Sequence, residues 1–211
     1  LDSPPSYANF ACNTNTGSPF VAIASVFVPS SMPHFFGLTA SIGLCTPGGT
    51  VPDWWASQVG GCRANALSVS FDPNDNTTSC PDLWSGLPPL EIFSVDFTPP
   101  MAHDYRLRVA AWLPTGTELD LEPDGSELYV FQLRINRAAT TGTGSCAGCT
   151  QPAVLFFDHC TLSQIGTGAG GDVLLNTPAV SNWVSWNAGD PTFCFVPTTN
   201  RTWGAIKQLY R

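Results

Sequence analysis

Apolar and polar residues alternate along several short stretches of the chain, and Gly, Pro, Asn and Asp separate these stretches. Leu67, Val69 and Phe71 alternate with Ser68 and Ser70, which is the period of a strand with one buried face. The same alternation, or a short apolar run bounded by turn residues, predicts strands elsewhere. The predicted strands lie at 19–28, 36–44, 65–71, 90–97, 104–113, 127–137 and 152–162.

Short strands separated by turns, with little helix, are typical of an antiparallel β-sandwich. We therefore predict a single all-β domain over 1–211, of an immunoglobulin-like or jelly-roll-like kind with about seven strands. Residues 1–10 contain two prolines and two aromatic residues, which predicts an extended N-terminal arm. One helical turn is expected at 51–57. A short helix is expected at 202–210, and it is stable only when it docks on other parts of the protein.

Composition and charge narrow the choice of partners. Hydrophobic residues make up 43% of the chain and charged residues 11%, against a usual charged share of about 25%. The formal net charge of -8 attracts neither nucleic acid nor an anionic membrane. No apolar run approaches the roughly 18 residues of a membrane-spanning helix. The chain starts at Leu1 without Met or an apolar leader, so we expect a removed signal peptide and an extracellular or cell-surface location.

Cysteines are numerous and spread along the chain. The cysteines are Cys12, Cys45, Cys62, Cys80, Cys146, Cys149, Cys160 and Cys194. An even number predicts four disulfides formed in an oxidising compartment. Structural zinc is the alternative, but only Cys146 and Cys149 have a metal-ligand spacing and no second pair matches it. The sequence therefore predicts disulfides.

Several different short motifs are distributed along nearly the whole chain. They are Ala11-Cys12-Asn13-Thr14-Asn15, Pro52-Asp53-Trp54-Trp55, Gly61-Cys62-Arg63, Ile135-Asn136-Arg137, Gly142-Thr143-Gly144, Cys146-Ala147-Gly148-Cys149 and Asn200-Arg201-Thr202-Trp203-Gly204, the last running on to Lys207, Leu209, Tyr210 and Arg211. This set resembles a group of uncharacterised exported bacterial proteins that are expected to be rich in β-structure. The resemblance implies a bacterial, extracytoplasmic protein, and it implies no activity.

Members of that group carry a cysteine near the start and none at the position of Cys45, so the chain departs from the group there. Cys12 with Cys45, and Cys62 with Cys80, are the expected local pairs. The sequence leaves the other connectivities open.

Cys146 and Cys149 form a C-x-x-C motif. Such a motif performs redox chemistry in a reducing cell when it lies near a βαβ unit. Here it lies in a Gly/Thr-rich loop of an oxidised protein. We therefore expect it to anchor the loop, with Cys160 and Cys194 as partners.

One acidic loop begins like a calcium-binding loop. Asp120, Glu122 and Asp124 occupy its first, third and fifth positions, and Gly125 its sixth. Position twelve should be Glu and is Phe131, so an ordinary turn is the preferred interpretation. We predict no metal site and no cofactor.

Enzymatic motifs are missing from the sequence. The histidines are His34, His103 and His159, with no His-x-x-x-His pair and no G-x-S-x-G motif. Asp158 and His159 are adjacent near a predicted strand end, where a catalytic dyad is conceivable. A packing or hydrogen-bonding role is more common for such a histidine. We predict that the protein is not an enzyme.

Tryptophan and glycosylation sites supply the remaining candidates. Trp54 and Trp55 are expected at the surface, because adjacent residues rarely face one core. Exposed aromatic rings stack on sugars or anchor interfaces. Candidate glycosylation sites are Asn76, Asn200, Thr140, Thr141 and Thr143, with an unmodified polar loop as the alternative.

We predict an extracellular structural protein that assembles with copies of itself into a fibre or surface layer. Low surface charge lets copies approach one another, and the arm at 1–10 is suited to pairing with a neighbour's sheet edge. The candidate interface residues are Tyr7, Phe10, Trp54, Trp55, Trp203, Ile206, Leu209 and Tyr210. The alternative is a secreted module that binds carbohydrate or another ligand through exposed aromatic residues.

Overall fold

The computed structural model describes residues 7–75, 78–97, 105–166, 170–175 and 183–190. Within these residues the chain forms eleven strands and three 3₁₀ turns. The strands are β1 (Tyr7–Ala8), β2 (Phe20–Phe27), β3 (Met32–Cys45), β4 (Leu67–Ser70), β5 (Leu90–Phe97), β6 (Tyr105–Trp112), β7 (Leu119–Leu121), β8 (Glu127–Ile135), β9 (Ala153–Gln164), β10 (Val173–Leu175) and β11 (Trp183–Trp186). The turns are Pro47–Gly49, Asp53–Trp55 and Pro73–Asp75.

The expected all-β class is confirmed, and all seven predicted strands are present. Four further strands, β1, β7, β10 and β11, are only two to four residues long. Alternation cannot be recognised over so few residues, which is why the expected number of strands was too low. The helical turn expected at 51–57 is the 3₁₀ turn Asp53–Trp55.

The strands form the two layers of a β-sandwich. The larger sheet has the order β1-β11-β9-β3-β6-β5, with β7 beside β3 and β10 beside β9. The smaller sheet has the order β2-β8-β4. The neighbouring strands are antiparallel except for β1 and β11, which run parallel.

The core lies between the inner faces of the two sheets. In β6, Tyr105, Leu107 and Val109 are buried, as the alternating pattern predicts. In β8, Phe131 and Leu133 are buried opposite them. Complete burial of one large apolar side chain stabilises the fold by roughly 1.5–3 kcal/mol, so these alternating rows fix the register of both sheets.

Strand β8 differs from its sequence pattern in one respect. Alternation with Phe131 and Leu133 predicts that Gln132 faces solvent, but it is only 4% exposed, and Val130 is completely buried. Because β8 is the central strand of the smaller sheet, β2 and β4 screen it on both sides. The Trp84 indole also donates to the backbone oxygen of Val130 (2.8 Å).

Some predictions fall outside the described residues. These concern the arm residues 1–6, Asn76, His103, Cys194, Asn200 and the helix at 202–210 with Trp203, Ile206, Leu209 and Tyr210. Among the residues that the structure covers, no helix has the length and apolar character needed to cross a bilayer.

Candidate functional site

The disulfides join the C-x-x-C segment to two distant parts of the chain. Cys12 is bonded to Cys149, and Cys62 to Cys146. The expected local pairs, Cys12 with Cys45 and Cys62 with Cys80, are therefore wrong. Cys45 is also disulfide-bonded, but not to Cys12. Proximity in sequence was a poor guide because the fold brings residues 12, 62 and 146–149 to one end of the sandwich.

The expected partners of the C-x-x-C segment were also wrong. Cys160 is not disulfide-bonded; it is a completely buried thiol on the inner side of β9. Burial raises the pKa of the Cys160 thiol to about 12. Four disulfides involving all eight cysteines are therefore excluded, although the anchoring role expected for Cys146 and Cys149 is confirmed.

Trp54 and Trp55 are buried, at 0% and 1% exposure, so the expectation that they lie at the surface was wrong. The 3₁₀ turn carries them beneath the C-x-x-C loop, where their rings meet edge to face at 5.0 Å. Both rings also pack on Trp186 of β11. Adjacent residues can share one core here because the disulfide-linked loops cover the turn from outside. Exposed sugar binding by these two residues is thereby excluded.

Arg63 holds this end of the sandwich together. It is 3% exposed, and its guanidinium lies 3.7 Å from the centre of the Trp54 ring. It donates to the backbone oxygens of Ala138 (2.8 Å), Trp54 (2.9 Å) and Asn136. Burial lowers the pKa of Arg63 to about 10, because a charged group in a poorly hydrated site is less favourable. The role of this arginine is structural.

Phe10 and Tyr7 make contacts within their own chain. The Phe10 ring stacks on Trp186 with centroids 4.0 Å apart, and it meets Phe20 edge to face at 4.5 Å. Tyr7 pairs with Ser185 in the parallel β1–β11 ladder. Part of the predicted arm therefore forms an edge strand of the larger sheet.

A β-bulge in β9 brings Asp158 and His159 to one surface. Ser41 of β3 is opposite His159 and Ile42 is opposite Phe157, so Asp158 is the additional residue. A bulge interrupts the alternation of side chains, and both residues line the same concave surface. The two residues were expected near a strand end, whereas they lie in the middle of a long strand.

The bulge residues contact an arginine from β6. One carboxylate oxygen of Asp158, Oδ2, lies 2.8 Å from Nη1 of Arg106 and 2.9 Å from Nδ1 of His159. These three side chains are 35%, 27% and 46% exposed. Strands β6 and β9 flank β3, so the three side chains reach one another across the central strand.

The cluster lies at one end of a groove, which we call the outer groove. Its floor is β3, whose outward residues Gly37, Thr39 and Ser41 are small. The polar end has a volume of about 530 Å³ and also contains Arg108. The apolar end, about 250 Å³, is lined by Trp112 and shares Thr39 with the polar end. The two ends adjoin at Thr39 and Ala110 and follow one another along the face of the larger sheet.

A second candidate surface is the outer edge of β5. All eight residues of β5 pair with β6, and no strand among the described residues pairs with its other side. Leu90 and Ile92 are 54% and 57% exposed. Burial raises the pKa of Glu91, which lies between them.

The calcium candidates do not converge on one point. Asp120 accepts from the backbone of His34 (3.0 Å), and Glu122 accepts from the Ser31 hydroxyl (3.1 Å). Asp124 accepts from the backbone of Ser126 (2.8 Å), as a turn residue does. Within the described residues, no group of three or more His, Cys, Asp or Glu side chains is arranged to hold a metal ion.

The threonine candidates for glycosylation differ in accessibility. The Thr140 hydroxyl donates to the backbone oxygen of Arg137 (2.7 Å) and accepts from the Trp54 indole (3.3 Å). Thr141 is partly buried, and Thr143 is exposed. Among these three threonines, Thr143 alone is exposed, and its hydroxyl lies outside these hydrogen bonds.

The geometry defines a two-sheet, disulfide-linked β-sandwich with a concave outer face and with a β5 edge that no other described strand covers. The Cys12–Cys149 and Cys62–Cys146 disulfides indicate folding in an oxidising environment. Comparison with protein-family models, curated proteins and solved structures finds no match to this chain.

Sequence reasoning missed the outer groove. Arg106 and Arg108 alternate with the buried Leu107, so the sequence pattern places them on the outer face of β6, but their position opposite Asp158 depends on the strand order β9-β3-β6. The only signal was Asp158-His159 within an otherwise apolar stretch. That signal does not identify a bulge, because bulges depend on the partner strand.

Proposed function

We propose that the protein is an extracellular structural subunit that polymerises with copies of itself along the edges of its larger sheet. The observation that carries the proposal is the outer edge of β5, which pairs with no other strand in the described part of the chain. Natural monomers protect sheet edges with short strands, charged residues or proline. Strand β5 is eight residues long, and its main-chain groups on the side away from β6 pair with no described strand. It carries the exposed charged residue Glu91, but also exposes the apolar Leu90 and Ile92.

The N-terminal region is the proposed partner of this edge. Tyr7 and Ala8 already form a strand that adds to β11 at the opposite edge of the same sheet. Residues 1–6 precede that strand in the sequence. Addition of this segment to β5 of a neighbour would extend the sheet by the main-chain hydrogen bonds of its other residues, since Pro4 and Pro5 have no N–H to donate.

The positions of the two edges favour a polymer over a closed dimer. β1 and β5 lie at opposite ends of one strand order, so the contact joins two different surfaces. Such a head-to-tail contact repeats from copy to copy and produces a filament unless the rotation closes a ring. A charge content of 11% weakens repulsion between the copies.

Two complementary variants test the proposal. Ile92→Lys places a charge on the receiving edge, and deletion of residues 1–6 removes the donor segment. We expect the unmodified chain to form linear polymers in negative-stain microscopy and light scattering, and each variant alone to remain monomeric. An equimolar mixture should form dimers only, because the deletion variant supplies an intact β5 edge and Ile92→Lys supplies an intact donor.

The control is Leu174→Lys. Leu174 is 54% exposed and lies in β10, away from β5. Its substitution by Lys therefore changes surface charge and hydrophobicity as much as Ile92→Lys does, but at a different strand. This variant should polymerise like the unmodified chain. A monomeric unmodified chain at high concentration, or polymers formed by the deletion variant, would refute the proposal.

A further inference from the structure

Several hydrogen-bonding atoms of the charged cluster in the outer groove have no partner among the described residues. Arg106 and His159 both contact Oδ2 of Asp158, and no donor among the described residues contacts Oδ1. Nε2 of His159 and Nε of Arg106 likewise have no partner among those residues. An acceptor and two sets of donors are therefore available within one partly exposed cluster.

Stability does not explain this cluster. Partly exposed ion pairs contribute at most about 1 kcal/mol, and many contribute nothing. The chain has few charged residues, yet Arg106, Arg108, Asp158 and His159 all line one end of the groove. Their mutual contacts hold the side chains in place before any ligand arrives, which lowers the entropic cost of binding.

Charge and dimensions indicate the class of ligand. A carboxylate lies among the guanidinium groups, so the groove offers both signs of charge and suits a neutral ligand with many hydroxyl groups. Arg106 and Trp112 are six residues apart in β6, which corresponds to about 20 Å along the strand. An aromatic residue at the far end suits the apolar face of a sugar ring.

An extended peptide fits this surface less well. Peptides bind sheets through main-chain hydrogen bonds at an edge. The floor of the groove is β3, whose backbone is already paired with β6 and β9 on its two sides. A ligand lying on this face must be held by side chains, as the hydroxyl groups of a sugar can be.

We propose that the outer groove binds a neutral oligosaccharide, several sugar units long. Asp158, Arg106 and His159 bind its hydroxyl groups at one end, and Trp112 stacks on a sugar ring at the other. The site is separate from the β1 edge and from the buried Trp54–Trp55 pair. Its polar end is also lined by Ile92 of β5, so the groove borders the edge proposed for polymerisation.

The test is calorimetric titration of the full chain with hexasaccharides of β-1,4-glucose, α-1,4-glucose, β-1,4-mannose, β-1,4-xylose and β-1,4-N-acetylglucosamine. We expect at least one of them to bind. Trp112→Ala and Asp158→Asn should each weaken its binding about tenfold or more, which corresponds to roughly 1.4 kcal/mol. Val21→Ala, at a 43% exposed position in β2, should leave the affinity unchanged.

The titration also distinguishes the alternatives. Circular dichroism and thermal unfolding must show that each variant is folded, and Asp158→Asn keeps the size of the side chain for that purpose. Failure of all five sugars to bind would overturn the proposal. Binding that survives both substitutions, or binding of a hexaglutamate peptide in place of every sugar, would overturn it equally.

Discussion

Arg63 shows how a charged residue can become part of a core. Its guanidinium donates to three backbone oxygens and lies on the Trp54 ring. The planar fork of donors is specific to arginine, since a lysine ammonium cannot reach three separated acceptors. In the motif Gly61-Cys62-Arg63, a disulfide-bonded cysteine is thus followed directly by the arginine that makes these hydrogen bonds.

Arg63→Lys should lower the free energy of unfolding by about 3 kcal/mol, because at least one buried carbonyl loses its partner. Urea unfolding followed by fluorescence measures the change. The control is Arg134→Lys: Arg134 pairs with Asp75 at a partly exposed site, and we expect a loss below about 1 kcal/mol. Equal losses in both variants would contradict the structural role of Arg63.

The backbone conformation and the close neighbours of Gly148 explain why the C-x-x-C segment contains a glycine. Its φ is 103°, and a Cβ there would lie 2.2 Å from Cβ of Pro52. Gly148→Ala should therefore destabilise the protein by about 2–3 kcal/mol through backbone strain and this overlap. Ala147→Ser, at the exposed neighbouring position, is the matched control for thermal unfolding. A neutral Gly148→Ala would show that the loop relaxes away from Pro52.

At the scale of elements, the disulfides act as cross-links between distant segments. The Cys62–Cys146 bond spans 84 residues, and cross-linking so long a loop restricts the unfolded chain strongly. Replacement of both cysteines by alanine should lower the free energy of unfolding by roughly 4 kcal/mol. The measurement is urea unfolding without reductant.

Replacement of the unbonded Cys160 by alanine controls for the loss of a buried sulfur. That variant removes no cross-link, so its loss should be smaller than that of the double variant. Equal losses would mean that packing, and not the cross-link, stabilises this end of the sandwich.

The sequence predicts the long strands well and the connections between them poorly. Alternation in β4, β6 and β8 places Leu67, Leu107 and Phe131 in the core, because a two-residue period is a local property. Trp54 and Asp158 were misjudged because their surroundings depend on distant segments. The covering loops decide the burial of Trp54, and the β3 partner strand decides the direction of Asp158.

At the scale of the whole molecule, buried titrating groups set the response to alkali. Burial raises the pKa of Cys160 from 9.0, and that of Tyr105 from 10.0, in each case to about 12. The folded protein therefore retains protons that the unfolded chain releases, and the stability from these groups falls as pH rises from 9 to 12. Arg63 acts in the opposite direction above pH 10, because its pKa is lowered.

The clearest window is pH 8 to 10, where Cys160 dominates. We expect the free energy of unfolding to decrease across this window and the decrease to be shallower in Cys160→Ala. Urea unfolding at a series of pH values measures both slopes. Parallel slopes would show that Cys160 is not the titrating group.

In both described disulfides the second cysteine comes late in the sequence, and this order has a consequence for biosynthesis. A protein is made from its N-terminus, so Cys12 and Cys62 exist long before Cys146 and Cys149. During that interval the only available partners are wrong ones, such as Cys45 and Cys80. Correct pairing therefore requires that oxidation be delayed until the chain has been made as far as Cys149, or that early bonds be exchanged by a thiol–disulfide catalyst.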